Sequence, residues 1–417
     1  MFTRLFLLFC LIPVVASAQS SSSTPASAQS QEKPATFTAG WRDGFFVQSD
    51  SGDFRLQIGT LLQPDGRFAL GDDAETLTDT FAFRRARVNF RFRLYQRFEV
   101  YINPDFANST LTLYDAYIDT RFSNAFRVRF GKSKPPIANE RIYSAGTTLF
   151  MERAFPTLLT PNRDIGVQAL GDLAGGVVNY QAGVFNGSQD NGNTDSDTND
   201  GKDVSGRLAV KPFVKDAKSP LAGLGFAIAG SRGNASGSTA LGSLRTGLMQ
   251  ATFFSYSGSV ADGTRTRYTP YAFYYNKGFG GFVEYGQSQL PVRKGTVRED
   301  ITHQAWQITG SYVLTGENAT DAGVRPKNNF DFGKGHWGAF QVAARYHTVS
   351  VDQAAIDLGF ATAGSSREAK AWTAGLNWFL NPYMKYVVNF ERTVFDGNAS
   401  GARKAENALA FRAQVYF

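Results

Sequence analysis

The sequence predicts an all-β chain that closes into a transmembrane antiparallel barrel of about sixteen strands, and three stretches carry that expectation. The first is Phe83 to Leu94. At period two it splits into an apolar file, Ala86, Val88, Phe90, Phe92 and Leu94, and a basic file, Arg85, Arg87, Asn89, Arg91 and Arg93. A water-soluble sheet buries its apolar face and wets the other, whereas a membrane barrel sets lipid against one face and water against the other. The second is the N-terminus, where Arg4, an apolar run from Leu5 to Val15 and Ala16-Ser17-Ala18 have the layout of a secretory signal peptide over residues 1–18. The third is the C-terminus, where Leu409, Phe411, Ala413, Val415 and Phe417 alternate with Arg412, Gln414 and Tyr416 and the chain stops on an aromatic residue. No apolar run in the exported part approaches the roughly 20 residues of a membrane helix. Only a closed barrel crosses a bilayer without such helices.

Composition narrows the chemistry. Cys10 is the only cysteine and lies inside the signal segment. The mature chain therefore has no disulfide, thiolate metal site or cysteine nucleophile. Residues 19–36, rich in Ser, Gln, Ala and Pro, read as a flexible periplasmic leader. Residues 37–417 read as the barrel. The net charge of +7 is moderate, but its placement matters more than its size.

In chain order, Phe54, Leu56, Ile58 and Leu62 alternate with polar partners in a first strand, and Pro64 to Thr80 reads as a polar loop. The arginine strand follows, then a tight connection at Tyr95-Gln96, a strand over Phe98 to Asn103, and another over Leu111 to Arg121. In a fifth strand Phe126, Val128 and Phe130 alternate with Arg127 and Arg129. The segment from Lys132 to Arg163 is then a long third outer loop, which holds four prolines and a dense apolar group including Leu149, Phe150, Met151 and Phe155. A loop of that length and apolar content packs somewhere, and the space available to it is the lumen. The later strands are 165–170, 177–185, 204–213, 223–230, 268–275, 280–288, 302–314, 337–350, 371–380, 383–395 and 408–417. Taking 247–257 as a strand makes the count odd, whereas a barrel with both ends on one side needs an even number. That stretch is therefore assigned to an outer hairpin or loop, and Thr315 to His336 falls on the periplasmic side.

The chain resembles the phosphate-selective porin O and P family of Gram-negative outer membranes. The resemblance rests on Phe83-Arg84-Arg85-Ala86-Arg87, Leu113-Tyr114-Asp115-Ala116-Tyr117, Phe130-Gly131-Lys132 with Pro135-Pro136, and Met151-Glu152-Arg153. It continues through Tyr312 to Glu317, Trp337-Gly338-Ala339 with Arg345-Tyr346, and the ending Phe411 to Phe417, which also resembles the assembly signal of outer-membrane barrels. It implies an outer-membrane homotrimer of sixteen-stranded barrels, a third loop folded into the lumen, and an arginine ladder that takes phosphate, pyrophosphate or polyphosphate. Phosphate-specific members carry lysines on the inward loop just ahead of Met-Glu-Arg. Ser144 to Phe150 has none, so a general anion-preferring diffusion porin stays open beside the phosphate-specific reading.

The basic file agrees with that implication on physical grounds. Arginine stays charged in proteins and offers a planar fork of donors that matches phosphate oxygens. Neighbours on one strand face lie about 7 Å apart, inside the roughly 8 Å Debye length at physiological salt, so their potentials merge into one track. The candidate anion path is Arg85, Arg87, Arg91, Arg93, Arg127, Arg129, Lys132, Lys134, Arg141 and Arg153, with Arg153 expected at the constriction. The bland alternative for any one of them is an ion pair within the wall, Arg91 with Glu99 for example. The acids Asp190, Asp195, Asp197, Asp200 and Asp203 sit together in another outer loop, which leaves the lumen more basic than the net charge. An outer-membrane barrel hydrolase is the rival from a different class. His347 alternates with Arg345 and so faces the lumen, away from lipid esters, His303 and His336 have no Ser/Asp arrangement beside them, and no metal-ligand spacing joins the three. No enzyme activity, cofactor, metal or nucleic-acid partner is expected. The expected partners are small anions and outer-membrane lipid.

Overall fold

In the computed structural model, residues 35–71, 77–197, 199–397 and 403–417 are described. The expected signal segment and nearly all of the expected 19–36 leader lie outside them. The wall is a closed antiparallel barrel of 16 strands. In chain order these are β1 (Phe54–Ala69), β2 (Thr80–Leu94), β3 (Phe98–Asp105), β4 (Thr112–Arg121), β5 (Arg127–Ser133), β6 (Asp164–Leu173), β7 (Val178–Phe185) and β8 (Asp203–Val210). They continue as β9 (Leu224–Asn234), β10 (Thr264–Asn276), β11 (Phe279–Lys294), β12 (Val297–Val313), β13 (Ala339–Ser350), β14 (Glu368–Asn381), β15 (Met384–Asp396) and β16 (Glu406–Tyr416). Each strand pairs with the next, and β16 returns to β1 with Leu409 opposite Phe68 and Tyr416 opposite Leu61.

The alternation that marked the strands in the sequence sorts two solvents. Along β15, Tyr386, Val388 and Phe390 are 41–45% exposed, while Lys385, Asn389 and Glu391 between them are at most 6% exposed. A wall whose exposed file is apolar and whose covered file holds Lys, Asn and Glu is inverted relative to a soluble sheet. It is the pattern of a barrel in lipid.

The proximal rim, where Phe417 lies, carries tight connections. Leu94 to Arg97 is a tight turn closed by the Arg97 N–H on the Leu94 carbonyl at 3.1 Å, with φ +49° at Tyr95 and +58° at Gln96. Positive φ at both central residues gives the turn the right-handed twist of the strands it joins. The 314–338 connection lies on this rim too, as the strand count requires. A hairpin of Phe37–Trp41 and Phe45–Ser49 adds to the exposed edge of β1 below the end of β16, and the Trp41 ring lies 4.7 Å from that of Phe417. The long connections 134–163, 186–202, 235–263 and 351–367 rise from the distal rim.

Several boundaries differ from the sequence reading. Pro64 does not end β1: the strand runs on to Ala69, and the missing N–H is absorbed at a bulge between Gln63 and Pro64. β10, β11 and β12 extend four to six residues beyond the expected limits at their distal ends, where polar residues such as Gln287, Gln289 and Gln304 face outward and blur the alternation. The 247–257 stretch lies off the wall, as expected. Ser243–Arg245 pairs there with Thr252–Ser255 in a separate two-stranded ribbon. That ribbon supplies Leu244, Phe253 and Phe254 to an apolar cluster with Phe155 and Leu159 of the third loop, Phe360 of 351–367, and Ala305, Val349 and Ala371 of the wall. The interior beside β12–β15 is thereby dry and filled.

Candidate functional site

The third loop, 134–163, is held against the covered face of the wall by its own backbone. Successive carbonyls accept from wall side chains: Ala145 from Gln63 (3.1 Å), Gly146 from Gln414 (2.8 Å), Thr148 from Lys385 (3.0 Å), Leu149 from Asn377 (3.0 Å), Met151 from Arg412 (2.7 Å) and Glu152 from Arg345 (3.0 Å). The Met151 N–H donates to Asn389 Oδ1 at 2.8 Å. At the two ends of the inward stretch, the Asn139 N–H donates to Glu284 and the Phe155 N–H to His347 Nδ1. A buried donor or acceptor left unpaired costs more than the bond gains. Polar inward files and the loop backbone therefore satisfy one another.

Glu152 fastens the loop from its side chain. Its carboxylate lies 2.6 Å from Arg84 Nε, 2.7 Å from Arg67, 3.7 Å from Arg412 and 3.9 Å from Arg85. Asp65 joins the cluster at 2.6 Å from Arg412 and 2.9 Å from Arg67. Burial alone raises the Glu152 pKa, but Arg84, Arg67, Arg85 and Arg412 outweigh it and hold the carboxyl well below the ordinary range. Arg84 takes part because of the bulge. Gln63 faces Arg85 and Pro64 faces Phe83, so Arg84 has no ladder partner and turns inward beside Arg85.

Two cavities lie between this loop and the wall of β1–β7. The distal one, of about 530 Å³, is lined by eight arginines (Arg67, Arg84, Arg85, Arg87, Arg141, Arg153, Arg163 and Arg245) against two carboxylates, Asp65 and Glu152. The proximal one, of about 640 Å³, is lined by Arg91, Arg129, Lys134 and Arg325, by Asn89, Tyr101 and Tyr117, and by the acids Asp43 and Asp115. Arg87, Ala145 and Arg163 line both, which makes them the join. Arg87 bonds Asp105 at 2.7 Å and Arg163 bonds Asp115 at 2.6 Å. Their guanidinium carbons lie 3.9 and 5.5 Å from the Tyr114 ring centre.

The expected site residues separate into three groups. Arg85, Arg87, Arg91, Arg129, Lys134, Arg141 and Arg153 line one cavity or both. Arg93 and Arg127 line neither: Arg93 shares Glu99 with Arg91, at 3.8 and 3.6 Å, and Arg127 shares Asp119 with Arg129, at 2.5 and 2.8 Å. Lys132 is drawn away altogether, its buried ammonium 2.5 Å from Asp195. The acids of the 186–202 loop are thus not set apart from the bases. Asp190 joins Asp203, the first residue of β8, on Arg267 at 2.7 and 2.9 Å.

Arg141, Arg153 and Lys134 differ from the wall arginines in having neutral partners. Arg153 donates to the Glu140 and Tyr143 carbonyls, both at 2.9 Å, and Lys134 to those of Ile142 and Tyr143. Arg141 donates to the Asn162 and Asn191 side chains and the Thr157 carbonyl, and its buried Nε has no partner among the described residues. Burial, then the nearby Arg163 and Arg153, lower the Lys134 ammonium well below the ordinary range. Burial and then Arg153 and Arg163 likewise lower Arg141. Cations that depress one another mark a region where an added anion is stabilised. Sequence reasoning missed Arg84, Arg163, Arg67, Arg245 and Arg412. Pro64 inside a strand was the one signal for Arg84, since a proline there implies a bulge.

The sequence profile of the phosphate-selective porin O and P family matches residues 56–417. The chain belongs to that family. It is an outer-membrane porin. No curated protein matches the sequence. Solved structures with the same fold include the outer-membrane channel DcaP of Acinetobacter baumannii, at 13% identity and a TM-score of 0.55 over 90% of this porin and 99% of that chain. Another is the anion-selective porin of Comamonas acidovorans, at 10% identity and 0.52 over 87% and 100%. The trimer form of OmpT, an outer membrane protein of Vibrio cholerae, matches at 12% identity and 0.55 over 87% and 99%. At these identities the likeness is one of fold.

Proposed function

We propose that the porin is a homotrimeric channel that passes small anions, phosphate and its condensed forms among them, by passive diffusion along the two cavities. The observation that carries this reading is the excess of arginine in the distal cavity, eight against two carboxylates. An anion exchanges its hydration for guanidinium donors and moves by steps of a strand-face repeat, with several sites of moderate strength and no single deep one. The third loop narrows the path at Ala145, opposite Arg87 and Arg163. Arg141, Arg153 and Lys134 supply positive charge there, with no carboxylate among the described residues within ion-pair distance of them, and Arg91 and Arg129 continue the track toward the proximal rim.

One observation favours the broader anion reading. The 145–152 stretch spends its backbone carbonyls on the wall and turns Ala145, not an ammonium group, toward the path. Single channels in planar bilayers test both. A chloride-over-potassium preference in a salt gradient is expected, and a cation preference overturns the function. Block of chloride current by added phosphate supports a specific site, whereas equal currents for chloride, nitrate and phosphate at equal charge leave the general anion channel.

A further inference from the structure

We propose that the proximal cavity takes a phosphorylated sugar, with the phosphoryl group on Arg87 and Arg163 at the join and the sugar ring on a shelf of tyrosines and amides next to them. This rests on the anion-channel reading above and deepens it by giving the anion an organic body. The first observation is a row that β2–β5 present to the lumen. In ladder register Arg91 lies opposite Tyr101, Tyr101 opposite Tyr117, and Tyr117 opposite Gly131, which has no side chain. The two rings are 5.3 Å apart. The guanidinium carbons of Arg91 and Arg129 lie 5.3 Å from the Tyr101 ring centre and 4.1 Å from that of Tyr117. All four side chains line the proximal cavity, where Tyr383 and Tyr416 join them, whereas Tyr114 is the one tyrosine lining the distal cavity.

The second observation is the row on the distal side of this shelf. Asn89 and Asn103 line the cavity there, and Asn103 donates to Asp115 at 2.8 Å. They occupy the interval between Arg91 and Arg87, four residues apart on one strand face, which is about 13 Å and longer than the roughly 8 Å Debye length. Phosphate oxygens chiefly accept, so they gain from guanidinium groups and little from amide carbonyls or phenol oxygens. A sugar hydroxyl both donates and accepts, and it matches amides and tyrosines, whose rings also offer an apolar face. The third observation is Tyr114. Pro104 faces Leu113 and Asn103 faces Asp115, so Tyr114 has no ladder partner and turns inward at a bulge, as Arg84 does beside Pro64. Its ring thereby carries Arg87 and Arg163 at the join. The cavity volume of about 640 Å³ falls in the roughly 300–1,000 Å³ range of sites that hold small organic ligands. The distal cavity meets charge alone, and the proximal one meets charge with a hydroxylated body attached.

The test is inhibition of chloride current through full-length porin in planar bilayers at about pH 8, where phosphate and a phosphate monoester are both chiefly dianions. Glucose 6-phosphate is expected to halve the current at roughly one-tenth of the inorganic phosphate concentration that does so, the scale of one or two neutral hydrogen bonds. Glucose alone should leave the current unchanged. Phosphate that inhibits as well as glucose 6-phosphate overturns this inference and leaves the anion channel standing, whereas a cation-preferring channel overturns both. Phenyl phosphate, which has a ring without hydroxyls, should inhibit less than glucose 6-phosphate, and stronger inhibition by it overturns the sugar assignment. Tyr101→Ala with Tyr117→Ala is expected to raise the half-inhibiting concentration of glucose 6-phosphate about tenfold and to leave that of phosphate in place. Equal weakening of both would mean that the tyrosines only hold Arg91 and Arg129, and it overturns the shelf. If the double variant does not insert, the wild-type comparison of the four solutes decides.

Discussion

The early and late halves of the barrel solve the same interior problem in opposite ways. Beside β1–β7 the lumen holds two cavities lined by guanidinium groups, tyrosines and amides, and its charges are paired within the wall or bonded to neutral groups. Beside β12–β15 three distal loops fill it with a dry cluster of Phe155, Leu244, Phe253, Phe254 and Phe360. The third loop runs between them, bonded through its backbone and Glu152 toward the wall and through Phe155 toward the cluster. The lesson is that an aqueous path narrower than its barrel needs a filled half as well as a charged one, because a loop held only by charged groups in water is weakly held.

Breaking the polar side should have the largest effect. Glu152→Ala leaves Arg67, Arg84, Arg85 and Arg412 facing one another around a gap, and loss of one partner from a buried ion cluster costs about 3–5 kcal/mol. The expected outcomes are a lower unfolding midpoint of the refolded barrel and noisier open-channel current, and a quiet, equally stable channel would show that the loop is fixed by its backbone alone. Breaking the dry side with Leu244→Ala should cost less, about 2–3 kcal/mol, since a loop ribbon can settle into the space left. Ion selectivity should not change, and a shift in reversal potential would show that the two halves are not independent.

Smaller effects sharpen the contrast within the path. Arg153→Ala removes a cation that bonds only carbonyls, so stability should hold while any phosphate block weakens roughly tenfold, the scale of one charged hydrogen bond. Unchanged block would remove Arg153 from the path. The smallest effect concerns pH. The Lys134 ammonium has its pKa lowered from 10.5 by burial first and then by Arg163 and Arg153. It is charged below that lowered value and neutral above it, while the arginines keep their charge. Anion preference should therefore decline slightly as pH rises toward 10.5, and Lys134→Met should remove the decline. A slope that persists in the variant assigns the titration to another group.

Much of this architecture was legible in the residues, for a local reason. Side-chain direction in a strand is fixed by position parity, so the alternation of Ala86, Val88 and Phe90 with Arg85, Arg87 and Arg91 determined the lipid and lumen faces without knowledge of any neighbour. Parity also gave sixteen strands and kept 247–257 off the wall. What parity cannot supply is which residue across the barrel answers a charge. The bulge at Pro64 that turns Arg84 inward, the reach of Asp195 back to Lys132, and the use of 145–152 carbonyls by Gln63, Gln414, Lys385, Asn377, Arg412 and Arg345 join residues far apart in the chain. Only closure of the barrel brings those groups within hydrogen-bond range. Whether an arginine is neutralised or free to meet an anion was therefore decided by the tertiary structure, since that depends on distances of a few ångströms between segments that the sequence leaves unrelated.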